Sequence, residues 1–310
     1  LIGSFFRDFA ITERHLEAIA AAAPGFEIVC KPEKEVTPAD VAAAEIVFGR
    51  PNPQWVAAAP GVKWVQLPSA GADGWLGVRP DDLLLTKASG TFGVPIAEWA
   101  MGAILMLTRN LHIYRDQQRD RKWRVQWSAR EIMGSTVGLL GLGDIGREVA
   151  QRARAFGCRV VGFRRRLEPV PFVDAVLPLE QVLAEADFLV MALPATPETY
   201  HLMDARRLAQ MKPGAYLINA GRGSTVDEAA LVDALRTGRL AGAALDVFEE
   251  EPLPAESPLW GMEEVIITPH ASFVSPARNT DRRTEIFCEN LKRYLAGQPL
   301  LNLVDRQAGY

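Results

Sequence analysis

Two hydrophobic rhythms alternate along the chain. In "TERHLEAIAAAA" and "TPADVAAA" apolar residues recur three and four positions apart, which predicts helices with one buried face. Around them "FEIVC", "EIVFG", "VKWVQL" and "LLLTKA" are short apolar runs, the pattern of strands. In "PIAEWAMGAILMLTRNLHIYRDQQRDRKW" apolar residues keep helical spacing through Leu111 and then yield to polar ones, so one long helix joining two domains is expected. A second series follows: "STVGLLGLG", "CRVVGF", "ADFLVMAL", "AYLINAG", "AGAALDVF" and "EVIITPH", separated by helical stretches such as "EVAQRARAFG" and "DEAALVDALRTGRL". "PARNTDRRTEIFCENLKRYLAGQ" reads as a last helix that returns to the first domain.

Strands that are apolar throughout have no solvent face, and helices between successive strands are crossovers. Together these features imply parallel sheets covered on both faces. The expected fold is α/β, with two Rossmann-like or flavodoxin-like βα domains, doubly wound parallel sheets and an active-site cleft between the domains. Residues 1–92, completed by 275–310, form the expected substrate-binding domain, and residues 93–274 the dinucleotide-binding one. A length of 310 residues suits two domains better than one.

Composition narrows the range of partners. Hydrophobic residues make up 48% of the chain and charged residues 23%, with a net charge of -4, so a soluble globular protein without a nucleic-acid surface is expected. No apolar run reaches the roughly 18 residues of a membrane span, and "LIGSFFRDF" carries charge too early for a signal segment, which makes the cytoplasm the expected compartment. Cys30, Cys158 and Cys288 lack metal or disulfide spacing and are expected to be buried thiols. The histidines are His15, His112, His201 and His270.

In "LLGLGDIG", Gly141, Gly143 and Gly146 form a G-x-G-x-x-G between a strand run and a helical run. The first glycine permits a tight turn, the second lets backbone approach a pyrophosphate, and the third lets helix and strand pack closely. The helix N-terminus then offers unpaired amides to the phosphates. Asp144 and Ile145 complete the loop; Asp144 is an awkward neighbour for a phosphate and is expected to cap the helix while backbone binds. The next strand ends at Phe163, where an NAD-type unit carries an acid for the ribose 2′-hydroxyl. Here Arg164, Arg165 and Arg166 stand instead, suited to a 2′-phosphate, so NADP(H) is expected over NAD(H). A solvated loop patch is the alternative.

These segments, with "ALPATPETYHLMD", "MKPGAYLINAGRGSTVDEAAL", "GAALDVFEEEPLPAESPLW" and "VIITPHAS", resemble the D-isomer-specific 2-hydroxyacid dehydrogenase family over most of residues 66–275. "EPLPAESPLW" and the closing "VDRQAGY" resemble its glyoxylate/hydroxypyruvate reductase branch. The resemblance implies Arg222 as the arginine that clamps the substrate, His270 as general acid/base and Glu251 as its acidic partner. The chemistry agrees: a planar guanidinium suits a carboxylate, an imidazole titrates near neutrality, and a paired carboxylate orients it. Further cofactor contacts are implied at Leu193, Pro194, Thr199, Ala220, Gly221 and Asp246, the last near the nicotinamide, with His270 adjoining. "LPSAGADGW" resembles the loop whose amides hold the substrate carboxylate, here Ser69, Ala70 and Gly71; a plain glycine turn is the alternative.

The implied reaction is NADPH-dependent reduction of glyoxylate, hydroxypyruvate or a related small 2-keto acid, with no metal required. A formate dehydrogenase of the family would pair its histidine with Gln, against Glu251. Phosphoglycerate dehydrogenases often add regulatory domains and favour NAD, and a dinucleotide-sensing corepressor adds interaction tails. The long helix and the "DRKWRVQW" arm resemble the family's dimer region, with Trp123 and Trp127 as candidate homodimer contacts; internal burial is the alternative for the helix's apolar residues.

Overall fold

Every named strand among the described residues pairs in parallel, and the strands form two separate sheets. The computed structural model describes residues 2–5, 11–72, 74–165 and 168–307, with backbone alone for 2–5. The chain divides into two compact units, 1–92 with 274–310, and 93–273.

The first unit begins β1 (Ile2–Phe5), α1 (Glu13–Ala22), β2 (Val29–Pro32), α2 (Pro38–Ala42) and β3 (Ile46–Phe48). It continues through α3 (Pro53–Ala57), β4 (Trp64–Gln66) and β5 (Leu84–Thr86). The strand order β2-β1-β3-β4-β5 is that of flavodoxin-like sheets. Alternate strand residues serve opposite faces: Val47, Val65 and Leu85 pack with Val41 and Val56 of α2 and α3, whereas Ile46, Phe48 and Trp64 pack with Ile19 of α1.

The second unit starts with α4 (Gly93–Thr108) and α5 (Leu111–Arg119). Next come β6 (Thr136–Leu140), α6 (Asp144–Ala155), β7 (Arg159–Phe163), β8 (Ala175–Val176), α7 (Leu179–Glu185) and β9 (Phe188–Met191). It closes with α8 (Ala205–Gln210), β10 (Ala215–Asn219), α9 (Glu228–Arg236), β11 (Leu240–Leu245) and β12 (Val265–Ile267). The order β12-β11-β10-β9-β6-β7-β8 contains the dinucleotide-fold arrangement and reverses direction between β6 and β9. Two cores sandwich the sheet. Leu189, Met191 and Leu217 face α7, α8 and α9, and Val137, Val190 and Ile218 face α4 and α6, which is why these strands are apolar at every position.

The last helix, α10 (Pro276–Leu295), belongs to the first unit, where Phe287 and Leu291 complete the core beside α1. A buried polar chain holds it there. Trp64 Nε1 donates to Thr86 Oγ1 at 2.7 Å, that hydroxyl donates to Gln66 Oε1 at 2.8 Å, and Asn290 Nδ2 donates to the same oxygen at 3.1 Å.

Three expectations need correction. The single long helix is two helices, broken at Asn110, whose φ of 54° is a left-handed conformation that asparagine tolerates better than most residues. The break falls where composition changes: α4 is apolar and largely buried, while α5 has no buried residue. Of the three thiols only Cys158 is buried; Cys288 is half-buried, and Cys30 is exposed because alternate side chains of β2 point outward. The strands β1 and β8 were not anticipated from "LIGSFF" and "DAVL", which are too short or too mixed to show a clear period.

Candidate active site

Ligands of doubly wound sheets bind beyond the carboxyl ends of the strands, at the reversal of strand order. In the second unit the candidate residues collect along that edge. Gly141 directly follows β6, Arg164 and Arg165 follow β7, Leu193 and Pro194 lie just past β9, Ala220 to Arg222 follow β10, Asp246 follows β11, and His270 lies just past β12. Arg166 lies outside the described residues.

The glycine loop has the shape a dinucleotide needs. Gly141 has φ 100°, and a Cβ there would come within 2.7 Å of the Ala192 carbonyl oxygen. A Cβ on Gly146 would overlap the Gly141 carbonyl, so the helix sits as close to the turn as backbone allows. At Gly143 an added Cβ would meet nothing within 4 Å, which leaves the backbone open to a phosphate. The first amide bonded within α6 is that of Arg147, to Gly143 O at 3.1 Å, and the Ile145 and Gly146 amides before it have no acceptor among the described residues. The Asp144 carboxylate turns aside and accepts the Gly93 amide at the start of α4 at 2.9 Å. It therefore holds a neighbouring helix rather than capping its own.

Arg164 and Arg165 lie at the turn after β7, Arg164 half-buried and Arg165 exposed. Among the described residues Arg164 has a long 4.0 Å contact with Glu168, itself 64% exposed, which leaves the guanidinium able to turn to an anion. Opposite, the Glu198 carboxyl is held below its ordinary value by its own backbone amide and Thr196, with Arg165 adding attraction. In that loop the Thr199 hydroxyl donates to Pro194 O at 2.7 Å and accepts the Thr196 amide at 2.8 Å, so it shapes the loop's backbone.

His270 and Glu251 meet. Glu251 Oε2 lies 2.8 Å from His270 Nδ1, and because a carboxylate accepts, Nδ1 carries the hydrogen. That leaves Nε2, without a hydrogen-bond partner among the described residues, on a side chain 43% exposed. Glu251 is held in turn by the Phe248 amide, which donates to Oε1 at 3.1 Å, and precedes a cis peptide to Pro252.

The buried carboxylate of Asp246 holds His270 from behind. It accepts from Thr268 Oγ1 at 2.6 Å, from the Ala271 amide at 2.8 Å, and from the Ser272 amide and hydroxyl at 3.0 Å and 2.5 Å. The His270 amide donates to Asp246 O at 2.8 Å. His270 has φ 49°, a conformation that costs energy and persists only where the surroundings impose it. The Asp246 side chain is thus committed to the loop bearing the histidine.

Arg222 is half-buried, and its Nη1 donates to Gly221 O at 2.9 Å. A Cβ on the next residue, Gly223, would overlap the Phe248 carbonyl, so the Arg222 segment lies directly against the loop that leads from β11 to Glu251. In the first unit, Ser69 Oγ donates to Gly71 O at 2.7 Å, and the amides of Ala70 and Gly71 have no acceptor among the described residues.

One pair escaped the sequence reading: His201 Nε2 lies 3.0 Å from Glu249 Oε2. Its partners stand 48 residues apart, and only the histidine inside "TYHLMD" hinted at it. Among the described residues there is no group of three or more His, Cys, Asp or Glu that could hold a metal, and no helix long and apolar enough to cross a membrane.

The family profile for the D-isomer specific 2-hydroxyacid dehydrogenase NAD binding domain matches residues 101–272. A glyoxylate reductase of Korarchaeum cryptofilum is 36% identical over 234 residues, 73% of this chain and 70% of that protein. A D-3-phosphoglycerate dehydrogenase of Mycobacterium bovis is 41% identical over 206 residues, 65% of this chain but only 39% of that longer protein. Among solved structures, an NADPH-dependent glyoxylate/hydroxypyruvate reductase of Sinorhizobium meliloti, in complex with NADP and sulfate, superposes with a TM-score of 0.82 at 30% identity, covering 100% of this chain and 99% of that one.

Proposed function

The chain belongs to the D-isomer specific 2-hydroxyacid dehydrogenase family of NAD(P)-dependent oxidoreductases, and from that premise we propose that it reduces small 2-keto acids, glyoxylate or hydroxypyruvate among them, with NADPH preferred. The observation that carries the proposal is the carboxyl edge of one sheet, where a glycine loop, an arginine pair, Arg222 and the Glu251–His270 pair come together.

The open backbone at Gly143 and the amides at the start of α6 would hold the pyrophosphate, and Arg164 and Arg165 the 2′-phosphate. Leu193, Pro194, Ala220 and Gly221 would line the same edge. When bound, the cofactor supplies the hydride for C2 of the keto acid. Arg222 fixes the substrate carboxylate through its planar fork. His270 gives the keto oxygen a proton from Nε2, while Glu251 accepts the hydrogen on Nδ1 and so orients the ring. In the oxidative direction the neutral Nε2 takes the proton back.

The alternative, a dinucleotide-sensing module, predicts cofactor binding without turnover. Steady-state assays with NADPH and NADH across glyoxylate, hydroxypyruvate, phenylpyruvate and branched 2-keto acids separate the two. We also assign the arm after α5 to a homodimer contact: Trp123 is 100% exposed and Trp127 91% exposed, four residues apart on that arm. Light scattering should then give twice the 34.0 kDa chain mass. A single-chain mass removes that assignment and leaves the catalytic one standing.

A further inference from the structure

Besides His270–Glu251, the second unit contains another histidine–carboxylate pair that the mechanism above does not use. His201 and Glu249 lie 3.0 Å apart, with side chains 30% and 32% exposed. A carboxylate accepts, so His201 Nε2 is the donor. Like His270, His201 has a positive φ, here 45°.

Its surroundings connect the segments on which the proposed chemistry depends. Glu249 Oε1 accepts the Glu228 amide at 2.8 Å, and Glu228 Oε1 accepts the Glu249 amide at 2.5 Å, a reciprocal clasp between the Glu251 loop and the start of α9. The His201 amide donates to Ser224 O at 2.8 Å and the Met203 amide to Thr225 O at 3.0 Å, so residues 201–203 run beside the stretch that follows Arg222. The Thr225 hydroxyl then donates to Arg222 O at 2.6 Å. Glu249 is two residues from Glu251, which holds His270.

We infer that His201 is a positioning residue, tying through Glu249 the loop that carries Glu251 to the segment that carries Arg222, so that guanidinium and imidazole keep a fixed separation. The inference rests on the functional reading above. A pair this exposed adds little to stability, so its removal should appear in turnover rather than in melting temperature. Small misplacements of reacting groups, by contrast, are expensive in rate.

The test compares wild type with His201→Asn, Glu249→Ala, the double variant and His201→Gln, measuring kcat and KM for glyoxylate and NADPH together with thermal melting. Asparagine tolerates the left-handed backbone but is too short to reach Glu249; glutamine restores a donor of greater reach. Each single change should lower kcat on the order of tenfold. The KM for NADPH should stay within about twofold, and the double variant should lose no more than Glu249→Ala alone, as expected when the histidine acts only through that carboxylate. His201→Gln should recover most of the rate. Variants that melt normally and keep wild-type kcat, or losses that multiply in the double variant, overturn the inference alone. A wild-type chain that reduces no 2-keto acid overturns the functional reading and this inference with it.

Discussion

Two histidines, one in each unit, face a carboxylate at nearly the same distance and differ in what is left over. In the first unit, His15 Nε2 lies 2.9 Å from Asp281 Oδ1, and its other nitrogen accepts the Thr12 amide at 3.1 Å. In the second, His270 Nδ1 lies 2.8 Å from Glu251, and Nε2 remains without a protein partner among the described residues. The exposures match: the side chain of His15 is 9% exposed and that of His270 43%. His15 has both nitrogens engaged and ties α1 to α10, while His270 keeps one nitrogen for a substrate. A histidine–carboxylate pair alone does not mark chemistry; a free nitrogen at the carboxyl edge of the dinucleotide-fold sheet is needed as well.

The comparison breaks most visibly at the histidines themselves. His270→Asn should lower kcat on the order of a thousandfold with NADPH binding retained, whereas His15→Asn should leave kcat within about twofold. Turnover in both variants, read with binding by fluorescence titration, checks this, and a severe kinetic loss in His15→Asn would erase the distinction. The next effect sits at the ribose end. Arg164→Ser with Arg165→Ser should raise the KM for NADPH by about ten- to a hundredfold, the worth of one or two charge-assisted bonds, and leave the KM for NADH nearly unchanged. Equal effects on both cofactors would return the arginines to a solvated patch.

Smaller effects concern stability. His15→Asn removes a helix-capping contact and the α1–α10 tie, with an expected loss of about 1–2 kcal/mol in denaturant unfolding. Glu228→Gln should act in the opposite direction. Burial pushes the Glu228 carboxyl above its ordinary value of 4.5, the bond from the Glu249 amide opposes this, and the charges of Glu249 and Glu251 add to it. A carboxyl raised in the folded state costs stability as pH climbs past its unfolded value, so the glutamine variant should melt higher at neutral pH. That gain should vanish below the ordinary glutamate range, where the group is protonated in both states.

The parts of this protein that were legible in its sequence are those where local pattern and backbone need coincide. Uninterrupted apolar runs such as "FLVMAL" announced strands buried on both faces, and Gly141, Gly143 and Gly146 stand where only a missing side chain fits or leaves room. The long helix misled because apolar spacing continues to Leu111 past a left-handed Asn110, a single residue's backbone choice that periodicity does not report. At Asp246 the sequence could not show that the carboxylate takes donors 22 to 26 residues further on. The His201–Glu249 pair hides for the same reason: its contact arises only after two strands and two helices have intervened.

The central claim is that this chain turns over small 2-keto acids with NADPH. Following NADPH oxidation by the purified protein with glyoxylate and hydroxypyruvate, beside NADH under the same conditions, tests it most directly. The account predicts steady turnover with both acids and a higher kcat/KM for NADPH than for NADH. Tight NADPH binding with no turnover of any 2-keto acid would contradict it.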